Sequence, residues 1–328
     1  MKKLTIYLNS AGATNAANII TALRKGSLDV RIVGGDMDPL AAGLLLADKG
    51  YVIPPVKDKE FIPSLLDICR KENVDVALPV FSADFPIFAK FKEELERNNI
   101  RTYAVSTEAL DICNDKYKVI QAMDNLGAPC PYTWTYEQAL VDKDSLPYPV
   151  LMKKIQGSGS RDIQKLDDVR DLEYHLKPGF VVQEYLDGEE YTVDVISDLA
   201  GEVLAISPRI RTKIYGGLSV RGITVNDEEI QHWTKKIVES FSMVGPSNVQ
   251  CKRTTKGELK FFEVNPRFAS GGLPLAVAAG MNSPEILVRL IMGLEIPKIT
   301  VRPGVVMVRY WDSLFMTKNS KGDYEIIN

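Results

Sequence analysis

The sequence predicts an α/β domain on a doubly wound parallel sheet, followed by an α+β half. Over residues 1–113, apolar runs alternate with helical patterns in a βαβαβ rhythm, which implies a parallel sheet. After about residue 114, extended runs succeed one another across short turns, so the sheets there are mostly antiparallel. The length of 328 residues at 45% apolar content is enough for two cores.

The elements follow in order. "LTIYL" (4–8) is a strand, "SAGATN" a turn, and "AANIITALRKG" a helix capped by Thr14 or Asn15 and closed by Gly26. "DVRIVGG" is the next strand. A helix follows over 39–50, with Pro39 in its first turn and Gly50 at its end. "YVIPP" is short and extended. "FIPSLLDICRKEN" is helix, "VDVALPV" strand, "PIFAKFKEELERNN" helix and "IRTYAV" strand. Loops 9–15, 34–39 and 79–85 fall at the carboxyl ends of the strands, where such sheets bind ligands. The first turn carries Gly12 alone, not GxGxxG. It reads as a tight turn rather than a pyrophosphate cradle, which sets a dinucleotide-dependent oxidoreductase aside.

The second half opens with the capped helix "NDKYKVIQAMDNLG", ending at Gly127. Strands follow within 148–166, 179–197, 201–212 and 247–268, with helices at about 166–176, 227–243 and 272–293 packed on them.

Net charge is −3 with acids and bases interspersed, which argues against a nucleic-acid partner. No stretch approaches the roughly 20 apolar residues of a membrane span. The apolar run of "MKKLTIYL" is short for a signal peptide, so a cytoplasmic location is expected. Cys69, Cys113, Cys130 and Cys251 show no CxxC spacing and read as buried free thiols. His175 and His232 sit in polar helical contexts, so histidine acid/base chemistry is not expected.

"GELKFFEVNPRF" (257–268) carries the strongest chemical signal. Leu259, Phe261 and Phe262 read as core, and Glu263, Asn265 and Arg267 then follow at a period of two. Residues two apart in a strand share a face. A two-residue turn at Lys256-Gly257 sets Gln250 opposite Glu263, and a four-residue turn sets it on the diagonal. A three-residue turn would flip it away. In the first two registers one surface gathers a carboxylate and two amide oxygens. Hard oxygen donors without nitrogen or sulfur suit Mg²⁺ or Mn²⁺. Arg267 beside them can neutralise a phosphoryl group. The competing reading is an ordinary polar strand end.

Three further segments add to it. "KKIQGSGSRD" (153–162) runs from lysines into a Gly/Ser loop whose free N–H groups can surround phosphate oxygens, although a plain hairpin uses the same residues. "VVQEYLDGEEYTVDV" (181–195) offers Gln183, Glu184, Tyr185 and Leu186 before a turn and Glu190 after it, a pattern open to an adenine edge and a ribose or to a polar hairpin. Lys116 opposes the macrodipole at a helix start, a small local cost that suggests a use.

In this order the series resembles the ATP-grasp superfamily, over nearly the whole chain. It is most similar to single-subunit ligases that look like half of a carbamoyl-phosphate synthase large chain. The resemblance implies a pre-ATP-grasp α/β domain at 1–113 and an ATP-grasp domain at 114–328 with a mobile lid over roughly 115–188. It implies that Lys116 and Lys153 touch ATP, and that Gly157, Ser158, Gly159, Ser160 and Arg161 close over the triphosphate. Gln183, Glu184, Tyr185 and Leu186 would line adenine, and Glu190 the ribose. Gln250, Glu263 and Asn265 would hold one or two Mg²⁺ (or Mn²⁺) ions, and Arg267 the transferred phosphoryl. Arg209, Arg211 and Arg221, in the Arg/Gly-rich segment 207–222, are candidates for an acid substrate.

The implied activity is an ATP-dependent carboxylate–amine ligase acting through an acyl phosphate. Its partners would be a small-molecule acid and an amine, with no nucleic acid, no membrane and a possible homodimer. The alternatives are a bicarbonate-phosphorylating enzyme and a non-catalytic ATP-binding subunit. The chain ends soon after the grasp domain, so complete carbamoyl-phosphate synthesis is not expected of it alone.

Overall fold

The computed structural model describes residues 2–157, 162–318 and 324–327. The chain divides into two compact units. One comprises residues 1–104, 288–295 and 308–328, the other residues 105–287 and 296–307.

The first unit contains β1 (Leu4–Leu8), α1 (Ala16–Lys25), β2 (Val30–Asp36), α2 (Ala42–Leu46), β3 (Lys49–Val52), α3 (Phe61–Glu72), β4 (Val76–Leu78) and α4 (Phe85–Arg97). Its sheet has the order β3-β2-β1-β4 and is parallel throughout, as the alternating rhythm predicts. One face is packed by Phe61, Leu65, Cys69, Phe88 and Leu95 from α3 and α4.

Two local expectations fail here, each for a legible reason. The helix expected over 39–50 shrinks to Ala42–Leu46. Asp48 exchanges bonds with Ile32, its N–H reaching the Ile32 carbonyl at 2.9 Å and its carboxylate accepting the Ile32 N–H at 2.7 Å. That draws the chain into the sheet, and Gly50 becomes a strand residue opposite Gly34. The expected strand "IRTYAV" is a single bridge, Val76 to Arg101. The Thr102 hydroxyl donates to the Ala77 carbonyl at 2.7 Å and takes the acceptor that a continued ladder needs. Gly26 closes α1 as expected, with extended backbone, while Asn15 stands at the helix start without making a side-chain cap.

The loops at the carboxyl ends of the strands are fastened internally. Asp36 accepts from the Gly12 N–H at 2.6 Å. Asp84 is fully buried and accepts from Val80 N–H, Phe81 N–H and the Ser10 hydroxyl. Burial raises its pKa despite those donors.

The second unit begins with α5 (Thr107–Cys113), α6 (Lys116–Asn125), β5 (Thr133–Trp134), α7 (Tyr136–Val141), β6 (Val150–Lys154), β7 (Ile163–Leu166), α8 (Val169–His175) and β8 (Phe180–Glu184). It continues with β9 (Glu189–Ser197), β10 (Val203–Tyr215), β11 (Leu218–Thr224), α9 (Glu228–Ser240), β12 (Gly245–Arg253), β13 (Leu259–Asn265) and α10 (Leu273–Ala278). Asp115 caps α6 by accepting from the N–H groups of Tyr117 and Lys118. The helix ends, as expected, where Gly127 takes φ 72°.

Strands β5-β8-β6-β7 form a four-stranded antiparallel sheet over a core of Trp134, Val150, Met152, Leu166, Leu172 and Val182. The larger sheet runs β13-β12-β9-β10-β11 with antiparallel pairing, and then takes an edge strand β14 (Val306–Val308). α11 (Ser283–Met292) follows α10 after a break, where one helix over 272–293 was expected. At the break Gly280 has φ 111°, and a Cβ there would lie 2.4 Å from the Thr300 carbonyl. A short hairpin of β15 (Met316–Lys318) and β16 (Tyr324–Ile326) completes the elements. No described helix is long and apolar enough to cross a membrane. Cys69 and Cys251 are buried free thiols as expected, while Cys113 and Cys130 are half-buried.

Candidate active site

The pairing of the larger sheet builds the site. Reading across β13, β12, β9 and β10, one row holds Glu263, Gln250, Thr192 and Arg209. The next row on the same face holds Asn265, Asn248, Asp194 and Ser207. The row between them faces the other way and holds Val264, Val249, Val193 and Pro208. All three valines are at most 1% exposed. One face is thus apolar core and the other a continuous polar surface, as the pleat requires.

Gln250 does lie opposite Glu263, but neither expected turn produces this. The hairpin closes from the Thr254 N–H to the Glu258 carbonyl, which leaves three residues in the turn. That register would pair Gln250 with Phe262 and put Glu263 on the wrong face. A bulge at Phe262 corrects it, because Cys251 pairs with Phe261 while Gln250 pairs with Glu263. Phe262, expected in the core, is the unpaired residue of the bulge and is half-buried, with its ring 5.1 Å from the Lys153 ammonium.

Gln250, Glu263, Asn265 and Arg267 line one cavity of about 100 Å³ with Thr192, Asn248, Arg209, Arg211, Ser219 and Ser270. Asn265 Nδ2 donates to Glu263 Oε1 at 3.1 Å and to Asn248 Oδ1 at 3.4 Å. Strand geometry stops at Pro266, where the Arg267 N–H turns back to the Asn265 carbonyl at 2.9 Å. The Arg267 side chain nonetheless returns to the cluster, reaching Asn265 Oδ1 at 3.4 Å and the Ser270 hydroxyl at 3.1 Å. Burial lowers the Arg267 pKa, and Glu263 opposes the shift.

This donor set fits a divalent cation. Glu263 supplies the charge, Gln250 an amide oxygen, and Asn265 a second one once its amide turns over. As placed, its nitrogen satisfies the carboxylate.

Lys153, near the end of β6, is 8% exposed and donates to Gln183 Oε1 at 2.5 Å. Gln183 Nε2 in turn donates to the Thr133 hydroxyl at 2.9 Å. No described carboxylate hydrogen-bonds or ion-pairs with Lys153. Its pKa is pushed down to about 8, chiefly by burial, while Glu263 and Glu190 oppose that and Lys116 and Lys252 add to it. Lys116 opens α6, and its ammonium donates to the Gly157 carbonyl at 2.9 Å. Ser158, Gly159, Ser160 and Arg161 lie outside the described residues.

In the segment expected to meet a base, Gln183 is buried and Glu184 accepts the Tyr132 N–H at 3.1 Å. Tyr185 is 39% exposed, and the Leu186 carbonyl accepts from Lys252 at 3.1 Å. Glu190 pairs with Arg211 and lies 3.9 Å from Lys252.

The three candidate arginines for an acid substrate part company. Arg209 is 2% exposed, with its Nε on Asp194 at 2.7 Å and Nη1 on the Ser219 hydroxyl at 3.0 Å. Arg211 also lines the cavity, while Arg221 is exposed and is not part of its lining. Asn248, Thr192, Asp194, Ser219 and Ser270 were not singled out from the sequence. Asn248 stands two before Gln250, so the same period of two could have found it.

A parallel-sheet unit, two antiparallel sheets, and a carboxylate–amide–guanidinium surface near a buried lysine are what the ATP-grasp resemblance implies. The comparisons match an ATP-grasp domain to part of the chain. Residues 177–313 match the family described as ATP-grasp in the biosynthetic pathway with Ter operon, and residues 6–103 match the PylC-like N-terminal domain. The chain is 26% identical over 314 residues to the carbamoyl phosphate synthase large chain of Clostridium perfringens, an alignment covering 88% of this chain and 28% of that one. It thus spans little more than a quarter of the curated relatives it matches.

Among solved structures it resembles the biotin carboxylase domain of Hydrogenobacter thermophilus 2-oxoglutarate carboxylase, in complex with MgADP, ADP and bicarbonate. The TM-score is 0.70 at 16% identity, over 93% of this chain and 74% of that one. It also resembles the L-amino acid ligase of Bacillus licheniformis, with a TM-score of 0.68 at 19% identity over 92% and 78% of the two chains.

Proposed function

We propose that this chain is an ATP- and Mg²⁺-dependent ligase that joins a carboxylate to an amine through an acyl phosphate. The observation that carries this reading is the convergence of Gln250, Glu263, Asn265 and Arg267 on one cavity with Arg211, beside a buried lysine that has no carboxylate partner among the described residues. Such a surface is built to gather anions and a cation. Phosphoryl transfer to a carboxylate brings two anions together, so positioning and neutralisation supply most of the catalysis.

In the first step a carboxylate oxygen bonds to the γ-phosphorus, the bond to the β–γ bridging oxygen breaks, and ADP leaves. In the second, the amine nitrogen bonds to the acyl carbon and loses a proton to solvent, while the C–O bond to phosphate breaks. Lys116 and Lys153 hold phosphate oxygens, and Arg267 meets the charge developing on the transferred group. Arg211 receives the acid. Arg209, held by Asp194, positions the pocket wall. A cation on Gln250, Glu263 and Asn265 would neutralise phosphate charge. Glu184–Leu186 and Glu190 stand on the nucleoside side.

A second reading, in which bicarbonate is the acid, is favoured by the small polar cavity. Among the described residues that line it, only Leu218 and Ala269 carry apolar side chains.

The test is phosphate release from MgATP across a panel of small acids and amines, bicarbonate included, for wild type and Glu263→Gln. We expect magnesium-dependent release with some acid, lost in a variant that keeps its fold. Normal turnover by the variant refutes the cation assignment. MgATP binding without turnover on any acid would leave a nucleotide-binding subunit instead.

A further inference from the structure

We infer that Phe262 is a positioning residue. The bulge leaves its ring outside the polar row, where it seats the Lys153 ammonium and holds that cation ready for an anionic ligand with no carboxylate among the described residues to compete for it.

Taking a lysine out of water is costly unless its charge is met, and the usual partner is a carboxylate. Lys153 is 8% exposed and has instead a neutral amide oxygen, Gln183 Oε1 at 2.5 Å, and an aromatic ring centred 5.1 Å away. The charged groups near enough to bias it are Glu263 and Glu190, which favour the cation, and Lys116 and Lys252, which oppose it. None of the four is hydrogen-bonded to it. The negative face of an aromatic ring attracts a cation more strongly when water is excluded, and it leaves the other ammonium protons unused.

The bulge leaves Phe262 without a cross-strand partner. With regular pairing on a three-residue turn, residue 262 would sit opposite Gln250 and take its place in the polar row. One extra residue therefore does two things, bringing Glu263 beside Gln250 and carrying a ring to Lys153. The inference rests on the ligase reading only for the identity of the anion.

The experiment uses the full chain with ¹³C-labelled lysine, in wild type, Phe262→Leu and Phe262→Tyr, with Lys153→Arg to assign the resonance. Without nucleotide, the Lys153 ε-methylene protons should be displaced upfield by the ring in wild type and Phe262→Tyr, and return to the bulk lysine position in Phe262→Leu. Calorimetric titration with MgADP should show affinity falling about 5- to 30-fold in Phe262→Leu and restored in Phe262→Tyr. A Lys153 resonance that is the same in wild type and Phe262→Leu overturns the seat. A resonance that moves while MgADP affinity stays unchanged overturns its purpose. If wild type binds no MgADP, the ligase reading fails, and the nucleotide-free spectra still decide the seat.

Discussion

Removing the Lys153 charge should change stability in a way that depends on pH, with a sign that can be worked out beforehand. Burial lowers this lysine from 10.5 to about 8. Below pH 8 both native and unfolded chains hold the proton, so the cost of burying the charge is fully present. Between 8 and 10.5 the native state releases it first and the unfolded chain still binds it, so native stability rises with pH through this window. Above 10.5 the cost is gone. The difference corresponds to about 3 kcal/mol. Lys153→Met removes the titration and leaves pH-independent changes, chiefly the lost bond to Gln183. Urea denaturation of both proteins at steps from about pH 7 to 11 isolates the term, since other groups titrate alike in both. Wild type should gain about 3 kcal/mol on Lys153→Met across that range. A difference that stays flat with pH would refute the claim that this site holds a desolvated charge.

Three other outcomes follow from packing and charge. Gly272→Ala would place a Cβ 2.0 Å from Cζ of Arg209, whose guanidinium is locked by Asp194 and Ser219. Displacing a charge-assisted bond of this kind should cost about 2–3 kcal/mol in denaturant, and less in an Arg209→Met background. Gly35→Ala would meet the buried Tyr7 hydroxyl at 1.8 Å, so it should destabilise the parallel-sheet unit by about 1–3 kcal/mol, read from its unfolding transition. Affinity for MgADP should decline above pH 8 as Lys153 deprotonates, with little change in Lys153→Arg, as calorimetry at stepped pH would show.

The parallel sheet of the first unit was legible because its strands are continuous apolar runs bounded by helices with clear periods. The failures came where one side chain competed with the backbone. Asp48 bonds Ile32 and ends a helix early, while Thr102 takes the Ala77 carbonyl and ends a strand. Propensity and periodicity average over windows of residues, and neither can weigh a single hydroxyl or carboxylate that wins a local contest.

The candidate site was legible for a different reason. A period of two puts Glu263 and Asn265 on one face whatever the fold around them, so their shared direction needs no tertiary information. Their meeting with Gln250 does need it. The chain reaches that meeting by two departures from regularity that cancel, a three-residue turn and a one-residue bulge. From the sequence the bulged residue, Phe262, looks like its buried neighbour Phe261. What separates them is that the polar row must be completed on the far side of a fully apolar one. Packing of Val264, Val249 and Val193 fixes which face is core, and Glu263 then belongs on the other. The bulge is the cheapest way to satisfy both demands, since one unpaired residue costs less than burying a carboxylate among valines. The register of the site is therefore imposed by the hydrophobic face behind it.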